Sequence, residues 1–157
     1  MVAERMPDVA PTHEPRGSIR RILLATDLSG ASDAASIQAL DLARSLGAQL
    51  VVVSVIDPAT DPVTGLRATR IDRLRAARLE AAQALVTRGR HEGVRVTFLV
   101  WEGDPGEAIV EAAASEQVDL IVVGSHGRGG VGRLLLGSVS DFVVRRALCP
   151  VLVVRGR

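Results

Sequence analysis

The sequence predicts an α/β fold: a doubly wound, five-stranded parallel sheet of order 3-2-1-4-5 with helices on both faces. Short apolar runs rich in Val and Leu alternate with segments whose apolar residues recur at helical spacing. Several runs are apolar on both faces, which is typical of central parallel strands. Polar residues, Thr26 and Asp27, follow strand one, and a glycine, Gly124, follows strand four. Because ligands bind where strand order reverses, we expect these two strands to be neighbours.

The first strand and helix follow from a buried run and a glycine stop. Residues 19–26 contain a continuous apolar run and predict strand one. Ser29 or Ser32 can cap the next helix, which is expected to end at Leu46 because Gly47 can adopt the left-handed conformation that closes helices. Residues 49–56 predict the second buried strand.

A long arginine-rich helix is predicted over residues 67–90, after a loop with two prolines at 57–65. Its predicted inward face carries Ile71, Leu74, Ala77, Ala81 and Leu85, and its other face carries Arg67, Arg70, Arg73 and Arg78. No aromatic residues lie between these arginines, and Asp72 and Glu80 dilute their charge. A solvated face is therefore a better interpretation than a nucleic-acid surface.

The second half of the chain continues the alternation. Strand three is predicted at 94–100, and the next helix begins at Asp104-Pro105 with Pro105 in its first turn. Residues 120–123 predict strand four. A glycine-rich loop, a helix over 138–147 and a last strand at 150–154 complete the pattern.

Length and composition indicate one domain with an aliphatic core. Residues 1–17, with three prolines, predict a disordered tail, and 18–157 the domain. All 19 basic residues are arginine, which excludes a P-loop, Schiff-base or catalytic lysine. The single cysteine, Cys149, excludes an intrachain disulfide. The net charge of +1 suggests no polyanion, and neither a signal peptide nor a membrane span is evident, so we expect a cytoplasmic protein that contacts no nucleic acid or membrane.

The glycine-rich loop predicts a phosphate site. Five glycines lie between Gly124 and Gly132, and Gly137-Ser138 then leads into a helix. Bare backbone N–H groups and a helix N-terminus together attract anions. The segment 127–132 matches G-x-G-x-x-G, the motif of dinucleotide-binding folds. That motif needs a helix that starts inside it and an acidic residue at the end of the next strand. Here Gly137 interrupts the helix and the next strand ends at Arg155, so the dinucleotide interpretation fails. A Walker A loop also fails, because no Lys-Ser/Thr follows.

The spacing Gly124-x2-Gly127-x9-Gly137-Ser138 resembles the ATP-binding branch of the universal stress protein family, over about residues 18–155. Other matching segments are Ala25-Thr-Asp-Leu-Ser29, Ser54-Val-Ile-Asp57, Gly103-Asp-Pro105 and Cys149-Pro-Val-Leu-Val-Val154. The family's sheet order of 3-2-1-4-5 agrees with the order inferred above.

The resemblance implies that the chain binds ATP, with Mg²⁺. By this resemblance, Asp27 accepts hydrogen bonds from the ribose or helps to hold the metal. Ala25 and Val55 line the adenine pocket, and Val123 lies beneath it. The residues assigned to the nucleotide are Ala25, Thr26, Asp27, Val55, Val123, Gly124, Gly127, Arg128, Gly130, Gly137, Ser138, Val139 and Ser140. Arg128 is either a donor to the γ-phosphate or a solvated loop arginine. For His126, a role in loop structure is favoured over a general base.

Three functions fit this site. The first is a nucleotide-binding regulatory module, favoured because no catalytic apparatus is evident. The second is an enzyme that cleaves ATP at the α/β bond, for which the segment 29–34 partly matches the S-G-G-x-D-S loop of pyrophosphatase-type ligases but is also explained as a helix cap. The third is a slow ATPase or self-phosphorylating protein.

The last strand predicts a homodimer through residues 150–155. In the order 3-2-1-4-5 this strand lies at an edge, is apolar on both faces, and carries a proline only at its start, Pro150. A two-fold axis would pair it with itself. The family resemblance points the same way, since many members dimerise through this strand.

Overall fold

The computed structural model describes residues 17–59, 67–125 and 136–156. Its elements are β1 (Arg21–Ala25), α1 (Asp33–Leu46), β2 (Gln49–Ile56), α2 (Arg67–His91), β3 (Val96–Glu102), α3 (Pro105–Ser115), β4 (Leu120–Gly124), α4 (Ser138–Arg146) and β5 (Val151–Val154). All strands pair in parallel in the order β3-β2-β1-β4-β5, so the predicted fold class and strand order are confirmed. No helix within the described ranges is long and apolar enough to cross a membrane.

Alternating side chains of the central strands divide the core into two layers. Ile22, Leu24 and Val52 pack with α1 on one face of the sheet. Leu23, Val51 and Val53 pack with α3 and α4 on the other face. The central strands are therefore buried on both sides, as their unbroken apolar runs indicate.

Two helix boundaries form as the sequence predicts. Gly47 closes α1 in the left-handed conformation, with φ of 64°. The Asp104 side chain accepts from the Glu107 N–H and caps α3, with proline in the first turn. Ser32 is the N-cap residue of α1, as one of the two predicted candidates, but no side-chain capping bond forms: the Ser32 hydroxyl donates to the Ser29 carbonyl, and the Ser29 hydroxyl donates to Asp27. A short 3-10 turn, Gly30–Ser32, precedes α1 and redirects both hydroxyls.

The predicted faces of α2 are partly wrong. Ala77 and Ala81 are exposed, whereas Arg78, expected on the solvated face, is buried. The inward stripe passes through Arg78, Ala82, Leu85 and Gly89 instead. Gly89 lets the helix approach the sheet closely, because a Cβ there would overlap Val96 Cγ2.

Asp119 joins the amino ends of β1 and β4. One oxygen of its carboxylate, Oδ2, accepts from the backbone N–H groups of Arg20 and Arg21 at 2.8 and 2.9 Å. The Asp119 N–H donates in turn to the Arg21 carbonyl. These bonds fix the relative position of two strands through residues that lie 99 positions apart in sequence.

We expect Asp119→Ala to lower the free energy of unfolding by about 1–2 kcal/mol, because two backbone donors lose a charged acceptor at an exposed site. Urea denaturation monitored by circular dichroism measures the loss. Asp119→Asn is the matched control, since it keeps one acceptor oxygen and should lose less. Equal stability of wild type and Asp119→Ala would contradict the role of the carboxylate in joining the strands.

Candidate functional site

The carboxyl ends of β1 and β4 lie side by side at the centre of the sheet. Ala25 pairs with Val123 in the register of these strands. Ala25, Val55 and Val123 all belong to the core layer that faces α3 and α4. Ala25 and Val123 are buried and Val55 is half-buried, so the three predicted adenine contacts lie on the same face of the sheet.

The chain turns sharply after β1. Asp27 Oδ1 accepts from both the N–H and the hydroxyl of Ser29, at 3.0 and 2.6 Å. Leu28 is left-handed, with φ of 60°, which costs a residue with a Cβ about 1–2 kcal/mol. Its N–H donates to Thr26 Oγ1 at 2.9 Å. Hydrogen bonds therefore hold a strained turn that carries Asp27 at the edge of the sheet.

Beneath this turn lies a group of buried polar side chains. Thr26 Oγ1 and Ser32 Oγ are 2.8 Å apart, and both residues are buried. Arg78 of α2 is also buried and donates from Nη1 to the Asp27 carbonyl at 2.5 Å. The polar side chains under the turn thus come from the residue after β1, the segment before α1, and α2.

The start of α4 is anchored to the end of β4. The Gly137 N–H donates to the Ser125 carbonyl at 2.8 Å, and the Ser125 N–H donates to the Val154 carbonyl at 2.8 Å. The buried Ser140 hydroxyl lies within hydrogen-bonding distance of the Gly137 and Ser125 carbonyls, at 3.0 and 3.3 Å. These contacts place the first turn of α4 directly after β4.

Glycine is the N-cap residue of α4, so it offers no side chain to the first N–H groups of the helix. The N–H groups of Ser138, Val139 and Ser140 belong to this first turn, where the helix dipole favours negative charge. Gly124, which ends β4, pairs with Val154. The arrangement therefore offers backbone donors for an anion between β4 and α4.

Part of the predicted site lies outside the described residues. This applies to Gly127, Arg128, Gly130 and His126. The structure brings the other predicted residues together at the carboxyl edge of β1, β2 and β4. They are Ala25, Thr26, Asp27, Val55, Val123, Gly124, Gly137, Ser138, Val139 and Ser140.

Cys149 has little nucleophilic character. Burial chiefly raises the pKa of its thiol, and the negative charge of Asp119 raises it further. The thiol therefore stays protonated at neutral pH, and a protonated thiol is a poor nucleophile. Within the described ranges, no group of three or more His, Cys, Asp or Glu side chains could hold a metal ion.

Comparison with known proteins identifies the family. A model of the universal stress protein family matches residues 18–155. The chain belongs to the universal stress protein family. A universal stress protein of Thermus aquaticus is 40% identical over 142 residues, which cover 87% of this chain and 98% of the relative.

Solved structures of the family share the fold. MJ0577, a universal stress protein of Methanocaldococcus jannaschii, aligns with a TM-score of 0.77 and 27% identity, covering 90% of this chain and 99% of that one. A universal stress protein crystallised in complex with cAMP aligns with a TM-score of 0.66 and 25% identity, covering 88% and 98%.

Sequence reasoning missed Arg78 as a residue near the site. Its one available signal is weak: Arg78 lies four residues before Ala82 and seven before Leu85, on the same helical stripe. The short apolar residues of α2 suggest a different stripe equally well, because alanine fits either a buried or an exposed position.

Proposed function

We propose that this universal stress protein is a regulatory module that binds ATP with Mg²⁺ at the carboxyl edge of β1 and β4. The observation that carries the proposal is the glycine-capped start of α4, which the Gly137 N–H bond to Ser125 anchors beside the end of β4. Donors of a helix N-terminus suit phosphate groups. Asp27 follows β1, the neighbouring strand, and is the acceptor for the ribose hydroxyl groups.

The residues present fit an adenine nucleotide in three parts. Small and β-branched side chains at Ala25, Val55 and Val123 offer an apolar surface to a flat base. The phosphates would lie against the Ser138 hydroxyl and the backbone of Gly124, Gly127, Arg128, Gly130, Gly137, Ser138, Val139 and Ser140. Mg²⁺ takes most of its ligands from phosphates and water in such sites, and Asp27 would be its protein contact only in place of the ribose hydroxyls.

The family supports a nucleotide ligand. One relative of the same fold was crystallised in complex with cAMP, an adenine nucleotide with one phosphate. The glycine-rich sequence after β4 and the α4 N-terminus of this chain favour a nucleotide with several phosphates, because each further phosphate gains charged hydrogen bonds.

Cleavage at the α/β bond is the weaker alternative. In the segment that resembles the ligase loop, the Ser29 hydroxyl donates to Asp27, and the buried Ser32 hydroxyl donates to the Ser29 carbonyl. Both hydroxyl groups therefore serve the turn itself. Slow hydrolysis at the β/γ bond requires no such loop and remains the second candidate function.

Isothermal titration of the purified protein with ATP, ADP and AMP in the presence of Mg²⁺ tests the proposal. We expect the affinity to fall from ATP to AMP by at least about tenfold, the scale of one charged hydrogen bond. Equal affinities would contradict a phosphate site at α4. Chromatography of the incubated nucleotide separates the functions: ATP unchanged for the regulatory module, AMP with pyrophosphate for α/β cleavage, and ADP for slow hydrolysis.

A further inference from the structure

A buried guanidinium of α2 reaches the turn that carries Asp27. Arg78 is 8% exposed, and its Nη1 donates to the Asp27 carbonyl oxygen at 2.5 Å. A charged group withdrawn from water requires well-placed acceptors, so its partners hold it closely in position. The bond joins residues 51 positions apart and attaches the turn to a separate element of the fold.

The bond fixes one particular peptide plane. The carbonyl of Asp27 and the N–H of Leu28 belong to the same planar unit. Arg78 donates to the carbonyl, and Thr26 Oγ1 accepts from the N–H at 2.9 Å. With both ends held, the plane cannot rotate freely, so the Asp27 Cα–Cβ bond keeps a fixed direction.

The plane leads into a strained residue. Leu28 has φ of 60°, a conformation that a leucine leaves readily when its support is removed. The remaining hydrogen bonds described above for the turn are local and span at most six residues. Arg78 thus supplies a long-range bond to the Asp27 carbonyl, in addition to the long-range bond of the Thr26 N–H to the Val53 carbonyl at the start of the turn.

We propose that Arg78 is a positioning residue for the nucleotide site: by fixing the Asp27–Leu28 peptide, it aims the Asp27 carboxylate at the ribose. The inference rests on the proposed function for its ligand, whereas the structural step, the hold on the turn, is independent of any ligand. A preformed turn binds more tightly, because its ordering does not have to occur during binding.

A double-mutant cycle tests the positioning role. We expect Arg78→Met to weaken ATP binding about tenfold in the wild-type background, the scale of one charged hydrogen bond. In the Asp27→Ala background the same change should weaken binding less than twofold, because the carboxylate that Arg78 positions is already absent. Arg78→Lys keeps a charged donor and should recover part of the affinity.

Arg75→Met is the matched control. Arg75 lies three residues earlier on α2 and pairs with Glu102 at 2.6 Å, at the end of β3. Its removal should leave ATP affinity unchanged. An equal loss for Arg78→Met in both Asp27 backgrounds would overturn the proposal, since Arg78 would then touch the nucleotide or support the fold in general. Unchanged affinity in the wild-type background would also overturn it. If the methionine variant does not fold, Arg78→Gln replaces it in the cycle.

Amide hydrogen exchange of the ligand-free protein separates this proposal from the proposed function. The Leu28 and Ser29 amides should exchange at least about tenfold faster in Arg78→Met than in wild type or Arg75→Met, because their hydrogen bonds belong to the supported turn. Unchanged exchange would overturn the inference. Faster exchange in a protein whose wild type binds no ATP would support the hold of Arg78 on the turn and refute the proposed nucleotide function.

Discussion

Replacing Gly137 by glutamate is expected to abolish ATP binding while the domain stays folded. Gly137 has φ of −62° and ψ of 157°, which every residue can adopt, so the backbone does not resist the change. The added carboxylate would stand at the start of α4, where it competes for the N–H groups and repels the phosphates. Losing two or more charged hydrogen bonds corresponds to an affinity loss of at least about a hundredfold.

Isothermal titration measures this loss, and thermal unfolding confirms that the variant is folded. Ala84→Glu is the matched control, because it adds the same charge at an exposed position of α2. Its ATP affinity should equal that of wild type. Normal ATP binding by Gly137→Glu would show that the phosphates lie elsewhere.

If the chain forms the predicted homodimer, Val153→Pro is expected to make it monomeric. The Ile121 N–H donates to the Pro150 carbonyl, and the Ser125 N–H donates to the Val154 carbonyl. These two bonds show which residues of β5 direct their backbone groups to β4 and which direct them to the free edge, because the two kinds alternate along a parallel strand. Residues 150, 152 and 154 therefore bond to β4, and Val151 and Val153 direct their N–H and carbonyl groups to the free edge. All four β5 residues are half-buried, so association with a second copy would bury further apolar surface.

Proline at 153 removes an edge donor without removing a bond to β4, so the fold should survive. Light scattering at about 10 μM should give the dimer mass for wild type and the monomer mass for Val153→Pro. Val153→Ile keeps the N–H and the branched side chain and should remain dimeric. The monomer should still bind ATP, because each proposed site lies within one protomer. A monomeric wild-type protein at this concentration would refute the predicted dimer.

The sheet was predictable because its determinants are local and simple. Unbroken apolar runs in β1, β2 and β4 identify buried parallel strands, and Thr26-Asp27 and Gly124 identify the two that meet at the switch point. The start of α4 at Ser138 was predictable for the same reason, since a glycine precedes it.

The support of the site was not predictable. The roles of Ser29 and Ser32 depend on a 3-10 turn that shifts the start of α1 to Asp33, and serine favours caps and turns alike. The burial of Arg78 depends on the rotation of α2, which close packing at Gly89 against β3 helps to set. Long-range packing of this kind leaves no regular spacing in a sequence.

Because β1 lies between β2 and β4 in the sheet, its two edges are paired at different times during synthesis. β1 is made before the other strands of this sheet, yet its neighbour β4 begins about a hundred residues later. At roughly 5–20 residues per second, a ribosome leaves one edge of β1 unpaired for about 5–20 s. Ile22, Leu23 and Leu24, fully buried in the finished protein, stay available to other nascent chains during that interval. The proposed nucleotide site needs both strands, so it would form late, and bound ATP would stabilise only the finished domain and not its first strand during synthesis.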